Sequence, residues 1–243
     1  MSMIAHIALT LAGLALYAWR LRGVASGPTQ IDRYRGAMAR SLIAFGAGGV
    51  ALLALSGDVR ALSQRSDAFS PVATHLDQWF GPVEGAGIEL AVMLGFAGGV
   101  VVGGLIAWRR LRRGKRDWTI GQIAHLQPRE PGAFGWAALL SIVAAVTEEL
   151  FFRLVVPLLV SRATGDAWIG FAVALAMFAF AHRYQRWAGV AGTAIGGAFL
   201  TLLYLRTGTL WLPIAAHAAI NLNGLVIRPW LARRISPSTG SRS

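Results

Sequence analysis

Apolar residues in this chain run in long blocks, at about 2–19, 41–57, 86–108, 133–160, 166–181, 187–206 and 208–227. Each block approaches or exceeds the roughly 18–20 residues that a helix needs to cross a hydrocarbon core of about 30 Å. Backbone amides have no water partner there, so a block of this kind satisfies its own hydrogen bonds as a helix. The pattern predicts an all-α fold, a polytopic transmembrane helix bundle of about seven spans. The connections are short except for 58–85, which carries Asp58, Asp67 and Asp77 and reads as an outer loop with a short surface helix. The end of the chain, Ser-Pro-Ser-Thr-Gly-Ser-Arg-Ser, is polar enough to predict disorder. The division expected is 1–129 for N-terminal helices and loops, 130–228 for a helical core, and 229–243 for a basic polar tail.

Composition supports the bilayer as solvent. Only 14% of residues are charged and mean hydropathy is +0.54, against about 25% charged in a soluble chain. The formal charge of +12 raises the question of nucleic acid, but the cations cluster at the ends of apolar blocks, where they set topology and meet anionic lipid. No nucleic-acid partner is expected. Of the 23 Lys and Arg, eighteen lie in 20–40, 109–129, 183–186 and the tail after 227, connections that fall on one face. Arg60, Arg65, Arg162 and Arg206 fall on the other. The positive-inside rule then places the N-terminus outside and the C-terminus in the cytoplasm. Arg20 and Arg22 follow the first apolar block, so that block reads as a retained span and not a cleaved signal. The near-absence of lysine, Lys115 alone, points to a GC-rich bacterial genome and hence to the inner (cell) membrane. The absence of cysteine excludes disulfides, thiolate metal sites and a cysteine nucleophile. Gly95, Gly99 and Gly103, and again Gly192 and Gly196, have the four-residue spacing of close helix packing within a protomer. Oligomeric state is not legible.

Ionisable groups inside apolar spans are costly unless paired or functional. Three blocks carry them. Glu148 and Glu149 stand together, with Arg153 one turn beyond Glu149, so Glu149 and Arg153 share a helix face while Glu148 points about 100° away. A buried ion pair that fixes packing explains the second carboxylate and the arginine but leaves Glu148 free as a general base. His182 closes the fifth block, four residues after Phe178, and His217 precedes Asn221 by four on the last block. Singly, each has a structural explanation as an interfacial ring or an interhelical hydrogen bond. Together they comprise a base, a second acid/base group and oxyanion donors, the parts needed to hydrolyse an acyl bond. His6, His75 and His125 have no partner legible in the sequence.

The order Glu148-Glu149-x-x-x-Arg153, Phe178-x-x-x-His182, His217-x-x-x-Asn221 resembles the CPBP family of intramembrane proteases, which includes the CAAX prenyl endopeptidases of the Rce1 type, over about 130–227. The resemblance implies an intramembrane endopeptidase acting on membrane-associated proteins or peptides, with Glu148 activating water and His182 assisting. It also implies that Glu149 and Arg153 organise the site, that His217 and Asn221 hold the oxyanion, and that Phe178 and Phe152 support the cavity or motif. Two histidines and a carboxylate also suit Zn²⁺, but no His-Glu-x-x-His pair is present, so no metal is expected, with zinc as the alternative. A proton-coupled carrier and a non-catalytic scaffold remain the rival functions. One tension is geometric. Glu148 lies roughly 22 Å along a helix that begins at Ala133 on the inner face, whereas His182 lies close to that face. A polar cavity open to the cytoplasm is needed to bring them together.

Overall fold

The structure, a computed structural model, describes residues 1–22, 27–82, 87–115 and 123–235. All regular structure among them is helical. The α-helices are α1 (Met3–Arg22), α2 (Gln30–Ser41), α3 (Gly48–Ser56), α4 (Ser70–Phe80), α5 (Gly87–Arg112), α6 (Ala133–Glu149), α7 (Val156–Thr164), α8 (Ala167–Ala181), α9 (Arg186–Thr207), α10 (Trp211–Leu222) and α11 (Arg228–Ile235). Four helices are long and apolar enough to cross a membrane: Met3–Arg22, Gln30–Ser56, Leu90–Arg112 and Arg183–Thr207. The expected block at 166–181 is a shorter apolar helix, Ala167–Ala181.

Three π-helical segments interrupt otherwise continuous rods: Leu42–Ala47, Leu150–Val155 and Asn223–Ile227. Two have a cause in the sequence. Pro157 and Pro229 each follow such a segment by two residues, and a proline cannot donate to the carbonyl four residues back, against which its ring also clashes. Widening the preceding turn relieves both defects. The first π segment has no proline and instead runs into Gly46, Gly48 and Gly49.

Helices make close contact at several glycines outside the four-residue repeats. An added Cβ at Gly170 would come within 2.5 Å of the Pro157 carbonyl oxygen, and one at Gly197 within 2.8 Å of the Phe178 ring. At Gly49 it would meet Val155 at 3.2 Å, and at Gly13 Leu52 at 3.5 Å. Of the repeat glycines Gly103 does meet a neighbour, Asn223 Nδ2 at 3.2 Å, whereas Gly95, Gly99 and Gly196 have nothing within 4 Å of that position among the described residues. The expectation that they seat helices against one another is therefore corrected: with Gly192 they line clefts, where a missing side chain leaves space.

Two further expectations change. Residues 30–40 are not a connection but the first three turns of a helix that continues to Ser56, because Thr29 caps it through a capping box with Asp32. The tail expected from 229 is helical as far as Ile235, and 236–243 lie outside the described residues. The loop 58–85 does contain a helix, α4, but Phe69, Val72, Ala73 and Leu76 are buried. Arg206 bonds Leu76 O, Asp77 and Gly81 O, and Arg162 pairs with Asp58 at 3.0 Å. Three of the four cations assigned to this face, Arg65, Arg162 and Arg206, thus tie the loop to helix ends. At the opposite end, Gln30 bonds Gln127 O, Tyr34 bonds Leu126 O, Gln127 bonds Gly224 O and Arg233 bonds Arg129 O. The connections grouped on one face by their charge meet there.

Candidate active site

The rod α6–α7 carries the carboxylates. Around its π segment an aromatic packing of Tyr17, Phe45, Phe151, Phe152 and Phe178 encloses the backbone, with ring centroids 4.5–6.1 Å apart. Glu149 and Arg153 have no exposed surface. Arg153 Nε lies 3.0 Å from Glu149 Oε2, and Glu149 Oε1 takes a 2.8 Å hydrogen bond with Nδ1 of His217 from α10. The guanidinium also lies over the Phe178 ring, 4.6 Å from its centroid. A buried carboxylate flanked by these partners joins α6, the π segment and α10, and it fixes the orientation of the His217 ring.

Glu148, one residue earlier, turns the other way. It is half-buried and lines a cleft of about 590 Å³ together with Phe178, His182, His217 and Asn221. Four of the residues singled out for chemistry, from α6, the end of α8 and α10, therefore face one space. Glu149 and Arg153 stand behind it. Phe152 does not line it: this residue is buried behind Phe178, 5.3 Å between ring centroids, with its ring in the aromatic packing of Tyr17, Phe45 and Phe151. Its support is indirect.

Hydrogen bonds define the imidazoles. Nδ1 of His182 is 2.8 Å from the carbonyl of Phe178, and a carbonyl only accepts, so that nitrogen carries the proton and Nε2 is left for the cleft. The same reasoning applies to His217, whose Nδ1 donates to a carboxylate. His182 and His217 thus each have one nitrogen committed and one available. Among the described residues no three His, Asp or Glu side chains are grouped as a metal ion would need.

The depth problem is resolved by helix register. Ser41 and Thr147 share a 3.0 Å hydrogen bond, which sets Glu148 level with the junction of α2 and its π segment. The contacts Gly13 to Leu52 and Leu16 to Gly48 set α1 antiparallel to α3, and one further turn brings Arg20 near that same level. The first turns of α2 and α6, packed together at Tyr34, Ala133 and Ala137, therefore extend past the end of α1. Glu148 stands close to the level at which the first apolar block ends, the level of His182.

Several residues on this cleft were not singled out in the sequence. Arg20, His125, Tyr184, Gln185, Asn223 and Arg228 line it, and the His125 and Tyr184 rings meet edge to face at 5.7 Å. His125 comes from a connection that no periodicity ties to the site.

Residues 130–223 match the family model for type II CAAX prenyl endopeptidases, Rce1-like. That Rce1-like segment contains every residue of the three motifs, so the resemblance carried by them holds over this part of the chain. No curated protein and no solved structure matches. With its long apolar helices the Rce1-like segment is part of an integral membrane protein, and its family is one of endopeptidases with membrane-associated protein substrates.

Proposed function

We propose that this protein is an intramembrane endopeptidase in which Glu148 activates water to attack a peptide carbonyl of a membrane-associated protein or peptide. The observation that carries this reading is the convergence of Glu148, His182, His217 and Asn221 on one cleft while Glu149 and Arg153 pair behind it. A carboxylate facing such a cleft is suited to take the proton of an attacking water. Nε2 of His182 then takes that proton from Glu148 and passes it to the leaving amine as the C–N bond breaks. As the peptide carbonyl oxygen becomes an oxyanion, His217 as an imidazolium, donating from Nδ1 to Glu149 and from Nε2 into the cleft, and the Asn221 amide supply donors prepared in advance. Glu149 and Arg153 act as positioning residues through the His217 ring. The Nδ1 bonds of His182 and His217 would equally suit a zinc-bound imidazole, so the route without zinc rests on the lack of a three-ligand grouping among the described residues.

The direct test is comparative membrane proteomics of cells carrying wild-type protein and Glu148→Gln. Precursors that accumulate in the variant are substrates, and cleavage of one by purified protein in proteoliposomes should fall at least about 100-fold on the substitution. Unchanged cleavage would remove Glu148 as the base. Cleavage that survives exhaustive chelation supports the metal-free route, whereas loss restored by Zn²⁺ replaces it.

A further inference from the structure

At the level where α1 leaves its apolar block, two arginines have no acidic partner among the described residues. Nε of Arg20 on α1, and Nε and Nη2 of Arg40 on α2, are buried without a hydrogen-bond partner among the described residues. The two guanidiniums are within electrostatic reach of one another, as the register of α1 against α3 requires. Like charges held together with buried N–H donors unfilled make an arrangement that an anion completes.

We propose that Arg20 and Arg40 form a site for the phosphodiester of an anionic phospholipid, at the mouth of the cleft. A guanidinium presents paired N–H donors that match phosphate oxygens. The depth is that of a lipid headgroup: the apolar run of α1 ends at Trp19, and that of the α2–α3 rod begins at Leu42. Trp19, Tyr184 and Trp187 are 46%, 45% and 87% exposed, the interfacial aromatics that accompany headgroups. Above them Leu11 and Leu14 on α1 remain exposed for an acyl chain.

This inference goes beyond peptide hydrolysis, yet it touches the same cleft. Arg20 and Tyr184 line it, and Arg40 adjoins Ser41, whose bond to Thr147 is next to Glu148. A bound headgroup would hold α1 against α2 at the cleft mouth, so cleavage rises with the anionic lipid fraction.

The test is lipid binding by native mass spectrometry and by exchange from nanodiscs, with palmitoyl-oleoyl phosphatidylglycerol against phosphatidylcholine. No cleavage is needed for this readout, so its failure is separable from failure of the protease reading. Phosphatidylglycerol should bind Arg20→Gln/Arg40→Gln at least about tenfold more weakly than wild type. Arg22→Gln/Arg33→Gln removes the same charge from two exposed positions at this end and should change binding by less than about threefold. Equal losses in the two double variants would reduce the effect to general surface charge and overturn the site. So would displacement of the lipid by millimolar inorganic phosphate, which would mark a soluble-anion site. Unchanged lipid binding with a raised KM for peptide in phosphatidylcholine would assign the pair to substrate instead. Should the double variant not fold, Arg40→Gln, which removes two of the three buried nitrogens, supports the same comparison.

Discussion

Glu149 has no exposed surface and two partners, Arg153 and His217. The charge is tolerated because the guanidinium compensates it, and removing one member of a buried pair costs about 3–5 kcal/mol while removing both can be nearly neutral. Arg153→Met should therefore destabilise the protein by about that amount, and Glu149→Gln/Arg153→Met should recover most of the loss, measured by reversible unfolding in bicelles. Activity is expected to stay low in the double variant, since His217 would lose the carboxylate that orients it. Recovery of both stability and cleavage would show that the pair serves packing alone. Asn221→Leu, which removes an amide from the cleft while filling similar volume, should lower kcat by about 10²–10³ with little change in stability. An unchanged kcat would exclude it as an oxyanion donor.

At the scale of elements, the rods are shaped by where their backbone cannot be regular. Pro157 fixes the π segment that follows Glu149 and holds Phe151, Phe152, Arg153 and Leu154 in the interior. Pro157→Ala lets an ordinary α-helical bond form to the Arg153 carbonyl, and the change in register moves Arg153 relative to Glu149. Cleavage should fall more than stability, as read from turnover beside a melting curve; the reverse order would mean that the wide turn has no role at the site. Gly170 is a different case, because a methyl group there meets the Pro157 backbone carbonyl, which cannot swing aside, as well as the Ser161 hydroxyl. Gly170→Ala should separate α7 from α8 and cost about 1–3 kcal/mol. A neutral effect would show that the α7–α8 packing yields easily.

For the whole molecule, one end gathers the 27–40, 123–129 and 228–235 segments, and the other gathers α4 with Arg65, Arg162 and Arg206. The cleft opens towards the first. If the positive-inside orientation holds, that end is cytoplasmic. The chain contains no cysteine, so single replacements report topology without a modified background. Gln185→Cys should react with an impermeant thiol reagent from the cytoplasmic side, and Trp79→Cys from the other; labelling of both from one side would invert or refute the assignment.

What was legible in the sequence follows from chemistry that depends on few neighbours. Long apolar blocks must be helices in a bilayer, cations gather at block ends, and Glu149 with Arg153 share a face because four residues make about one turn. These are local or solvent-imposed constraints, so Glu148, Glu149, Arg153, His182, His217 and Asn221 stood out as polar groups inside apolar blocks, and the family resemblance implied their roles. Three-dimensional packing decided the rest. His217 is bound to Glu149 across 68 positions of chain, a contact that no helical period encodes. Gly95 and Gly99 border open space while Gly170 and Gly197 seat helices, because which face of a helix meets a neighbour depends on how the rods are arranged. Arg20, Arg40, His125 and Tyr184 came to notice only once α1, α2 and the 123–129 connection were assembled around the cleft: their significance is a matter of depth and proximity, and both are properties of the packed bundle.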